Sequence, residues 1–496
     1  MAAYNKVVSD LHASFATGKT KTKEWRMAQL LALLNFIEKE SDGIAEALAK
    51  DLSKPFLESI VFECDTVRNE IVEALDKLDE WMGKKKAEKN LLTLLDSAFV
   101  MSEPLGVVLI IGAWNYPFQL TLGPLVGAIA AGNCAIVKPS EISISSSQFM
   151  EKKLLEYLDP ECIKIITGGV PETTSLLTNR FDHIFYTGST AVGKIIYKAA
   201  AEHLTPVTLE LGGKSPAIID NTSDLAIVAR RMMWGKLCNS GQTCISPDYV
   251  LCTKENLNFL IEECKSAIYE FHNGDSKRTP HFSRIINKHH FQRLKQMLDK
   301  TEGTVAYGGT IDEDSLYISP TLLVNVKESD CVMQEEIFGP IMPFLTVSDM
   351  DEAIEFVNKR PKPLVIYLFT KDNQLIKQVS RETLSGAMVT NDVFMNMSLT
   401  SLPFGGVGDS GIGSSHGIYA FQAFSHMRAH FVKKQNMEFM NQFRYPPYND
   451  KNLKIIRWAL ERTPHCQRNP ILLALPYIAL AILFAILFKL LHSLIF

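Results

Sequence analysis

The nine cysteines of this chain include no Cys-x-x-Cys pair and show no disulfide-like spacing. Structural zinc sites and disulfide frameworks need thiols at such spacings, so we expect neither, no bound metal, and a reducing compartment. The charges nearly cancel, with 51 Lys and Arg against 55 Asp and Glu for a net charge of −4. That balance gives no reason to expect a nucleic-acid partner.

Other common features are missing too. The N-terminus, Met-Ala-Ala-Tyr-Asn-Lys, has no apolar run, so we expect no secretory leader before the folded part. We find no internal repeat and no low-complexity tract. The 496 residues are enough for two to four globular domains, each with a buried core.

Short apolar runs alternate with helix-like stretches beyond Pro104. The predicted strands recur every 20 to 30 residues, at Val107–Ile111, Ala135–Val137, Ile163–Ile166, His183–Tyr186 and Val207–Leu209. The predicted helices between them are Leu120–Ala131, Ser145–Tyr157 and Val192–Ala201. This alternation predicts an α/β fold with a doubly wound parallel sheet, and such sheets bind ligands at the carboxyl ends of their strands.

The chain on either side of this region also has a regular pattern. Apolar residues at helical spacing between residues 23 and 52 predict two or more amphipathic helices at the start of the chain. A second α/β stretch is expected from about Pro216 to Ser410, opening with strand 217–219 and a helix near 224–234. A boundary near Gly212-Gly213 would place Glu210 and Cys244 on opposite walls of an interdomain cleft.

A thiol and a carboxylate stand in two glycine-marked segments. Cys244 ends Asn-Ser-Gly-Gln-Thr-Cys, and Glu210 lies in Leu-Glu-Leu-Gly-Gly-Lys, 34 residues upstream. A thiol with the reference pKa of about 8.5 needs a tuned environment to act as a nucleophile, and a carboxylate can activate water. An isolated cysteine can equally be a small buried apolar residue.

Several further motifs occur with this pair in one order. They are Ala113-Trp-Asn-Tyr-Pro117, Val137-Lys-Pro-Ser-Glu141, Thr187-Gly-Ser-Thr-Ala-Val-Gly193, Glu335-Glu-Ile-Phe-Gly-Pro340 and Pro403-Phe-Gly-Gly-Val-Gly408. The set resembles the aldehyde dehydrogenase superfamily over about residues 5 to 440. The chain is most similar to the class 3, membrane-anchored fatty aldehyde dehydrogenase branch in three features: the short N-terminal segment before Trp114, the Gly-Gln-Thr-Cys motif and the apolar C-terminus.

The resemblance implies a mechanism for three residues. Cys244 would attack an aldehyde carbon, and the Asn115 amide with the Cys244 backbone N–H would hold the resulting oxyanion. After hydride transfer, Glu210 would draw a proton from the water that hydrolyses the thioester. Asn115 could instead cap a helix, and Glu210 could be a cap or a surface charge.

The same resemblance implies a dinucleotide site. The segment from Gly188 through Ser189 to Gly193 would expose backbone N–H groups to a pyrophosphate at a helix N-terminus. Lys138 and Glu141 would bind the adenosine ribose. Because a 2′-phosphate would meet the like charge of Glu141, NAD is the expected cofactor and NADP a poorer one.

Two more residues belong to the implied nicotinamide end of this site. Glu336 would hold the nicotinamide ribose, and Phe338 would lie against the nicotinamide ring. The alternative for Phe338 is an ordinary core position.

The C-terminal segment has a different composition. Residues 471–488 are uncharged and apolar, and 18 residues at about 1.5 Å each span about 27 Å, close to the hydrocarbon thickness of the endoplasmic reticulum membrane. Basic residues before this run place the globular part in the cytosol, so a tail-anchored protein is expected. A buried core helix is the alternative.

The expected domain organisation follows. The NAD-binding domain is predicted at 1–81 and 104–212, the catalytic domain at 213–419, and an arm that pairs two subunits into a homodimer at 82–103 and 420–445. A basic juxtamembrane segment at 446–470 and the transmembrane helix at 471–488 complete the chain.

The chain departs from the family pattern at a few positions. Ala113 replaces a common proline, which should leave Asn115 in place. Asn396 stands where fatty-aldehyde relatives often have histidine, so we expect a different mouth of the substrate tunnel. Ser415 and Ile418 replace a tyrosine and a lysine, which we expect to alter the local surface only and not the catalysis. Medium- or long-chain aliphatic aldehydes are the expected substrates. The open alternatives are an acylating enzyme that passes the thioester to coenzyme A, a cysteine hydrolase, for which the 12 His provide no motif, and a non-catalytic membrane scaffold.

Overall fold

The computed structural model describes residues 4–461, and these contain fifteen α-helices and eighteen β-strands. The helices are α1 Asn5–Ala16, α2 Lys23–Leu52, α3 Phe56–Ser59, α4 Thr66–Met82, α5 Gln119–Ala131, α6 Ile144–Lys153, α7 Val170–Leu177, α8 Thr190–Ala201, α9 Leu225–Leu237, α10 Lys254–Phe271, α11 Lys288–Lys300, α12 Met350–Asn358, α13 Asn373–Glu382, α14 Gly417–Ala423 and α15 Asp450–Leu460. A π-helical turn, Ile60–Asp65, joins α3 to α4.

The strands are mostly short and buried. They are β1 Lys85–Lys86, β2 Ser97–Pro104, β3 Val107–Ile111, β4 Cys134–Lys138, β5 Ile163–Ile165, β6 His183–Gly188, β7 Val207–Leu211, β8 Pro216–Ile219, β9 Tyr249–Thr253, β10 Thr304–Tyr307, β11 Ile311–Asp312, β12 Tyr317–Ile318, β13 Thr321–Val324, β14 Ile341–Val347, β15 Val365–Phe369, β16 Ala387–Thr390, β17 Gly411–Ile412 and β18 Ser425–Val432.

The described residues divide into two compact units, one formed by the chain up to residue 83 with 102–427 and one formed by 84–101 with the described chain from 428 onward. The first unit holds a six-stranded sheet of order β17-β7-β6-β3-β4-β5 and a seven-stranded sheet of order β10-β13-β14-β9-β8-β15-β16. All neighbours in both sheets are parallel except β17 and β10, which lie at the edges. The predicted α/β class with parallel sheets is therefore confirmed.

The strand order explains where a ligand can bind. In the six-stranded sheet the chain starts at β3, moves outward through β4 and β5, and then returns to build β6 and β7 on the other side of β3. This reversal leaves a crevice at the carboxyl ends of β3, β4 and β6, the usual ligand position in doubly wound sheets. All five strands predicted before residue 212 coincide with observed strands, because near-continuous apolar runs are typical of strands buried on both faces.

One prediction about the N-terminal region is wrong. Residues 23–52 form a single 30-residue helix, α2, and not two or more helices. The Gly43 that interrupts the apolar pattern lies inside this helix, where a Cβ atom would come 2.7 Å from the Phe149 ring. The glycine therefore serves close packing against α6 and does not end a helix.

The second unit carries a small sheet and the last helix. The three-stranded sheet β1-β2-β18 lies mainly in this unit, and α15 is an eleven-residue helix capped by Asn449. Within residues 4–461, no helix combines the length and the apolar character that a membrane crossing requires. The helix predicted at 471–488 lies outside the described residues, as does part of the 446–470 segment.

Candidate active site

Lys138 and Glu141 lie together at the carboxyl end of β4. The Lys138 ammonium donates a hydrogen bond to Glu141 Oε2 at 3.1 Å and another to the Pro139 carbonyl at 3.0 Å. The Lys138 side chain is 2% exposed, whereas that of Glu141 is 44% exposed. A buried cation thus holds a carboxylate that faces solvent, which leaves the carboxylate free to meet a ligand.

The turn from β6 into α8 contains a glycine and a helix N-cap. Gly188 ends β6 with a φ of +159°, and a Cβ atom there would lie 2.2 Å from the Tyr186 hydroxyl. Ser189 is the N-cap of α8, and its hydroxyl accepts the Val192 N–H. The free N–H groups of the first turn of α8 and its dipole favour an anion at this place.

Gly193 does not belong to this turn. Only Ser189 separates β6 from α8, so Gly193 is inside the helix and buried. A Cβ atom on Gly193 would lie 2.8 Å from a Leu211 methyl group. The predicted position of Gly193, in a loop before the helix, is therefore wrong, and its predicted part in dinucleotide binding stays a prediction. This glycine lets α8 pack closely on β7.

The segment before Cys244 has a strained backbone that neighbours hold in place. Asn239, Ser240 and Gly241 have φ angles of 50°, 53° and 73°, in the left-handed region that non-glycine residues rarely adopt. The Asn239 N–H donates to Glu58 Oε2 at 2.9 Å, and the Ser240 hydroxyl donates to the Ser283 carbonyl at 2.6 Å. Such strain persists only where the surroundings fix the backbone, and it is typical of functional turns.

Asn115 is bound directly to this segment. Its buried Nδ2 donates to the Gln242 carbonyl at 3.0 Å, and its own carbonyl accepts the Asn239 side-chain amide at 2.9 Å. Asn115 does not cap α5, because that helix begins at Gln119 and has Phe118 at its N-cap. The structure thus places the Asn115 amide beside the Cys244 turn, as the oxyanion hypothesis requires.

Glu210 and Cys244 line one cavity. Glu210 lies on β7 opposite Thr187 of β6, and the cavity has an empty volume of about 770 Å³, including the part open to solvent. Half of the other eighteen lining residues have apolar side chains, namely Val67, Leu120, Pro124, Phe185, Leu211, Ile245, Leu364, Met397 and Phe404. A thiol and a carboxylate therefore face the same largely apolar space.

Burial sets the protonation states of this pair. Loss of water contact raises the pKa of Glu210 to about 8, an effect that a hydrogen bond from Ser415 opposes. The pKa of the Cys244 thiol is also raised, first by burial and then by the negative charges of Glu336 and Glu210, while the backbone N–H groups of Cys244 and Ile245 lower it. Both groups are neutral at rest near neutral pH, so each must lose a proton before it can act as a nucleophile or a base.

Glu336 reaches the end of β7 from the loop before β14. A Cβ atom on Gly212 would lie 2.0 Å from Glu336 Oε2, so any larger residue at 212 would displace the Glu336 carboxylate. Burial raises the pKa of Glu336 to about 8, and its Oε1 has no hydrogen-bond partner among the described residues. Phe338 has a φ of 50° and is partly exposed. Its ring packs edge-on against the Trp114 ring, with the ring centres 5.3 Å apart. Phe338 therefore does not occupy an ordinary core position.

One departure from the family pattern, Ser415, lies in the cavity wall, and another, Asn396, is adjacent in sequence to a lining residue. Met397 lines the cavity next to the half-buried Asn396, whose side-chain oxygen lacks a partner within residues 4–461. Ser415 is buried and bonded to Glu210, so the expectation that the change at 415 affects only local surface is wrong. Ser415 is 205 residues from Glu210, and no sequence signal joins two residues at that separation.

A buried ion pair beneath the site also lacked a sequence signal. Lys54 and Glu63 are fully buried at 2.6 Å, and Lys54 also donates to the Asn115 carbonyl at 2.9 Å. Glu63 accepts the backbone N–H groups of Phe118 and Gln119 at 3.0 Å each. This pair therefore fixes both ends of the Asn115 loop, and the sole hint in the sequence is a carboxylate within the apolar run 60–64.

We expect Lys54→Met to lower the free energy of unfolding by about 3–5 kcal/mol, because it leaves the Glu63 carboxylate buried without its cation. Aldehyde turnover should fall as the Asn115 loop loosens. Adding Glu63→Gln should recover part of the stability. Denaturant unfolding measures the first effect, with Lys327→Met as the control, since Lys327 pairs with Glu302 on the surface, where both side chains are about 70% exposed.

Several known proteins are similar to this chain over most of its length. The aldehyde dehydrogenase family model matches residues 2–430. Aldehyde dehydrogenase family 3 member B1 of Rattus norvegicus is 49% identical over 462 residues, which cover 93% of this chain and 98% of that protein. Family 3 member A2 of Mus musculus is 49% identical over 449 residues, which cover 90% of this chain and 92% of that protein.

A solved structure supports the same assignment. The substrate-bound state of Staphylococcus aureus AldH superposes with a TM-score of 0.90 at 40% identity, over 92% of this chain and 100% of that one. The predicted resemblance to the superfamily and to its class 3 branch is confirmed. The chain belongs to the aldehyde dehydrogenase family, and it is an oxidoreductase that acts on aldehydes.

Proposed function

We propose that the protein oxidises medium- to long-chain aliphatic aldehydes to carboxylates with NAD. The observation that carries this proposal is the shared apolar cavity, with Cys244 and Glu210 in its wall and Asn115 bound to the Cys244 turn. An apolar lining suits an alkyl chain, since burial stabilises it by about 25 cal/mol for each Å² removed from water.

The steps follow from the positions of these groups. The Cys244 thiol first releases its proton to solvent. The thiolate sulfur then bonds to the aldehyde carbon as the C=O π bond breaks, and the carbonyl oxygen becomes an oxyanion that accepts hydrogen bonds from the Asn115 amide and the Cys244 backbone N–H. Loss of hydride from the same carbon leaves a thioester on Cys244. Glu210 then takes a proton from water as the water oxygen attacks, and the C–S bond breaks to release the carboxylate.

An oxidoreductase of this fold uses a nicotinamide dinucleotide, and NAD(P) when bound supplies the hydride acceptor. The residues present fit such a group. The first turn of α8 offers free N–H groups to a pyrophosphate, and the buried Glu336 Oε1, which has no hydrogen-bond partner within residues 4–461, can accept from a ribose hydroxyl. We assign Lys138 and Glu141 to the adenosine ribose, Ser189 to the pyrophosphate turn and Phe338 to the nicotinamide ring.

Glu141→Ser should raise the use of NADP relative to NAD by about tenfold or more, because one charge–phosphate repulsion of ~1.4 kcal/mol accounts for that factor. The change also frees the Lys138 ammonium, now 3.1 Å from Glu141 Oε2, to meet a 2′-phosphate. The measurement is kcat/KM for both dinucleotides. Glu156→Ser is the control, since Glu156 pairs with Lys153 at the surface. If the Glu141 variant keeps the wild-type ratio of NADP use to NAD use, Glu141 does not bind the ribose.

We further propose that the protein is a tail-anchored homodimer of the endoplasmic reticulum membrane, with its catalytic part in the cytosol. The apolar run 471–488 supports the anchor. Apolar side chains exposed within the second unit support a subunit contact there, namely Leu91, Leu94, Leu95, Phe431 and Val432. The proposed NAD-binding, catalytic and dimerisation segments keep the boundaries given above.

A chain that ends before Pro470 should yield a dimer no longer held by membranes and still active on short aldehydes. Long-chain aldehydes should be oxidised less well, because they partition into bilayers, where a tethered enzyme meets them at high local concentration. NADH formation from aldehydes of graded length, measured with vesicles for both chains, checks this expectation. Carbonate extraction of the full chain is the control. Recovery of the full chain in the supernatant would contradict the membrane anchor but not the proposed dehydrogenase reaction.

A further inference from the structure

Ser415 is fixed at the wall of the cavity by its own backbone. Its N–H donates to the Phe404 carbonyl at 2.6 Å, and its carbonyl accepts the Phe404 N–H at 3.1 Å. The next residue, His416, stacks its ring on Phe404 with the ring centres 5.0 Å apart. The backbone thus has little freedom at this point, and the Ser415 hydroxyl points into the cavity towards Glu210.

The hydroxyl has two acceptors within reach. Its oxygen is 3.2 Å from Glu210 Oε1 and 3.3 Å from the Phe404 carbonyl oxygen. The other carboxylate oxygen, Glu210 Oε2, is buried and has no hydrogen-bond partner within residues 4–461. One oxygen of Glu210 is therefore held, and the other remains available to a water molecule.

A hydroxyl at this position can serve both protonation states of Glu210. When Glu210 is ionised, the Ser415 O–H donates to the carboxylate. When Glu210 is protonated, its own O–H donates to the Ser415 oxygen, and the Ser415 proton turns to the Phe404 carbonyl. No other side chain in the cavity wall forms a hydrogen bond with Glu210.

We propose that Ser415 is a positioning residue for Glu210, which holds Oε1 so that Oε2 faces the hydrolytic water and which stabilises the ionised base. This inference rests on the proposed function, since it assigns Glu210 to thioester hydrolysis. It goes beyond the family pattern, because a tyrosine at this position presents its hydroxyl at the end of a ring and not on Cβ.

The titratable groups that face Glu210 across the cavity do not replace this contact. They are Cys244, Tyr116, Glu70 and His416, with Glu336 beyond Gly212. The Tyr116 hydroxyl is bonded to Thr243 at 2.8 Å, and His416 Nδ1 lies 3.7 Å from Glu70 Oε1. Burial raises the pKa of Glu210 to about 8, and the Ser415 hydroxyl opposes this rise, so its removal should raise the pKa further.

The test follows the two products of one turnover on the full-length protein. After rapid mixing with octanal and NAD, the NADH trace reports hydride transfer, and quenched samples report octanoate. The delay between NADH formation and octanoate formation gives the rate constant of thioester hydrolysis. We expect this rate constant to rise with pH as Glu210 ionises. Ser415→Ala should raise the midpoint of this pH dependence by about one pH unit. At pH values below the wild-type midpoint, hydrolysis should then be about tenfold slower than in the wild type, and on the high-pH plateau the two rates should be equal.

Two further variants separate a direct contact from a packing effect. Ser415→Thr keeps the hydroxyl and should retain the wild-type midpoint. Ser410→Ala is the matched control, because Ser410 is a buried serine of the same segment whose hydroxyl bonds only to backbone groups of Val407 and Pro363. It should lower the melting temperature without moving the midpoint.

The outcomes are distinct. A wild-type midpoint in Ser415→Ala, or an equal shift in Ser410→Ala, would overturn the role of Ser415. A wild-type enzyme that forms no NADH from octanal, or whose hydrolysis is unaffected by Glu210→Gln, would overturn the proposed function itself.

Discussion

Cys244→Ala is expected to reduce aldehyde-dependent NADH formation to below about one hundredth of the wild-type rate, because removal of a covalent nucleophile commonly costs 10³-fold or more. Binding of the dinucleotide should persist. The Lys138–Glu141 pair and the Gly188 turn lie at the carboxyl ends of β4 and β6, and neither contacts the Cys244 side chain in any hydrogen bond. Steady-state kinetics and a dinucleotide titration on the same variant measure the two effects.

The matched control for this variant is Cys331→Ala. Cys331 is also a partly exposed free cysteine, and its sulfur is bonded to the Met297 carbonyl at 3.5 Å, away from the cavity lining. This control should keep the wild-type turnover. A Cys244→Ala enzyme that keeps more than about one hundredth of the wild-type activity would show that the thiol is not the nucleophile.

Glu210→Gln is expected to allow one hydride transfer per site and then to stall at the thioester, since an amide cannot take a proton from water. A stopped-flow trace should show a burst of NADH followed by a steady rate at least about a hundredfold below wild type. The wild-type rate of hydrolysis should rise through about pH 8, where Glu210 loses its proton. The variant should lack this rise, and a variant without a burst would give Glu210 a role before hydride transfer.

The same substitution lowers activity but should stabilise the folded protein at high pH. The pKa of Glu210 is about 8 in the folded protein against 4.5 as its ordinary value, so between these values the folded state binds more protons than the unfolded state. The free energy of unfolding therefore falls as pH rises from about 4.5 through about 8, because the buried carboxyl resists ionisation in the folded state. Glu210→Gln should raise the melting temperature at pH 9 relative to wild type and leave it nearly unchanged at pH 5.

The sequence alone determined the fold class and the identity of the chemical groups. Buried parallel strands require near-continuous apolar runs, so β3 to β7 were predictable from residues 107–211. Cys244, Glu210 and Asn115 stood out because their side chains carry chemistry in glycine- or proline-marked turns, and the order of the motifs pointed to the family. These are local properties, which a linear pattern records.

The tertiary structure decided which polar groups act together. Gly43 and Gly193 look like helix or loop signals in the sequence, yet each makes room for a side chain from another element, Phe149 and Leu211 respectively. Lys54 looks like an ordinary surface lysine until Glu63 and the Asn115 carbonyl surround it.

Ser415 shows the same limit at the centre of the site. A serine 205 residues from Glu210 becomes its hydrogen-bond partner because β17 pairs with β7 and the backbone bridge to Phe404 returns the chain to the cavity. Burial and hydrogen bonding between distant segments set the pKa of a carboxylate, and these contacts exist only after the sheets have formed. The residue types were therefore fixed by the sequence, and their protonation, partners and orientation by the packing of strands far apart in the chain.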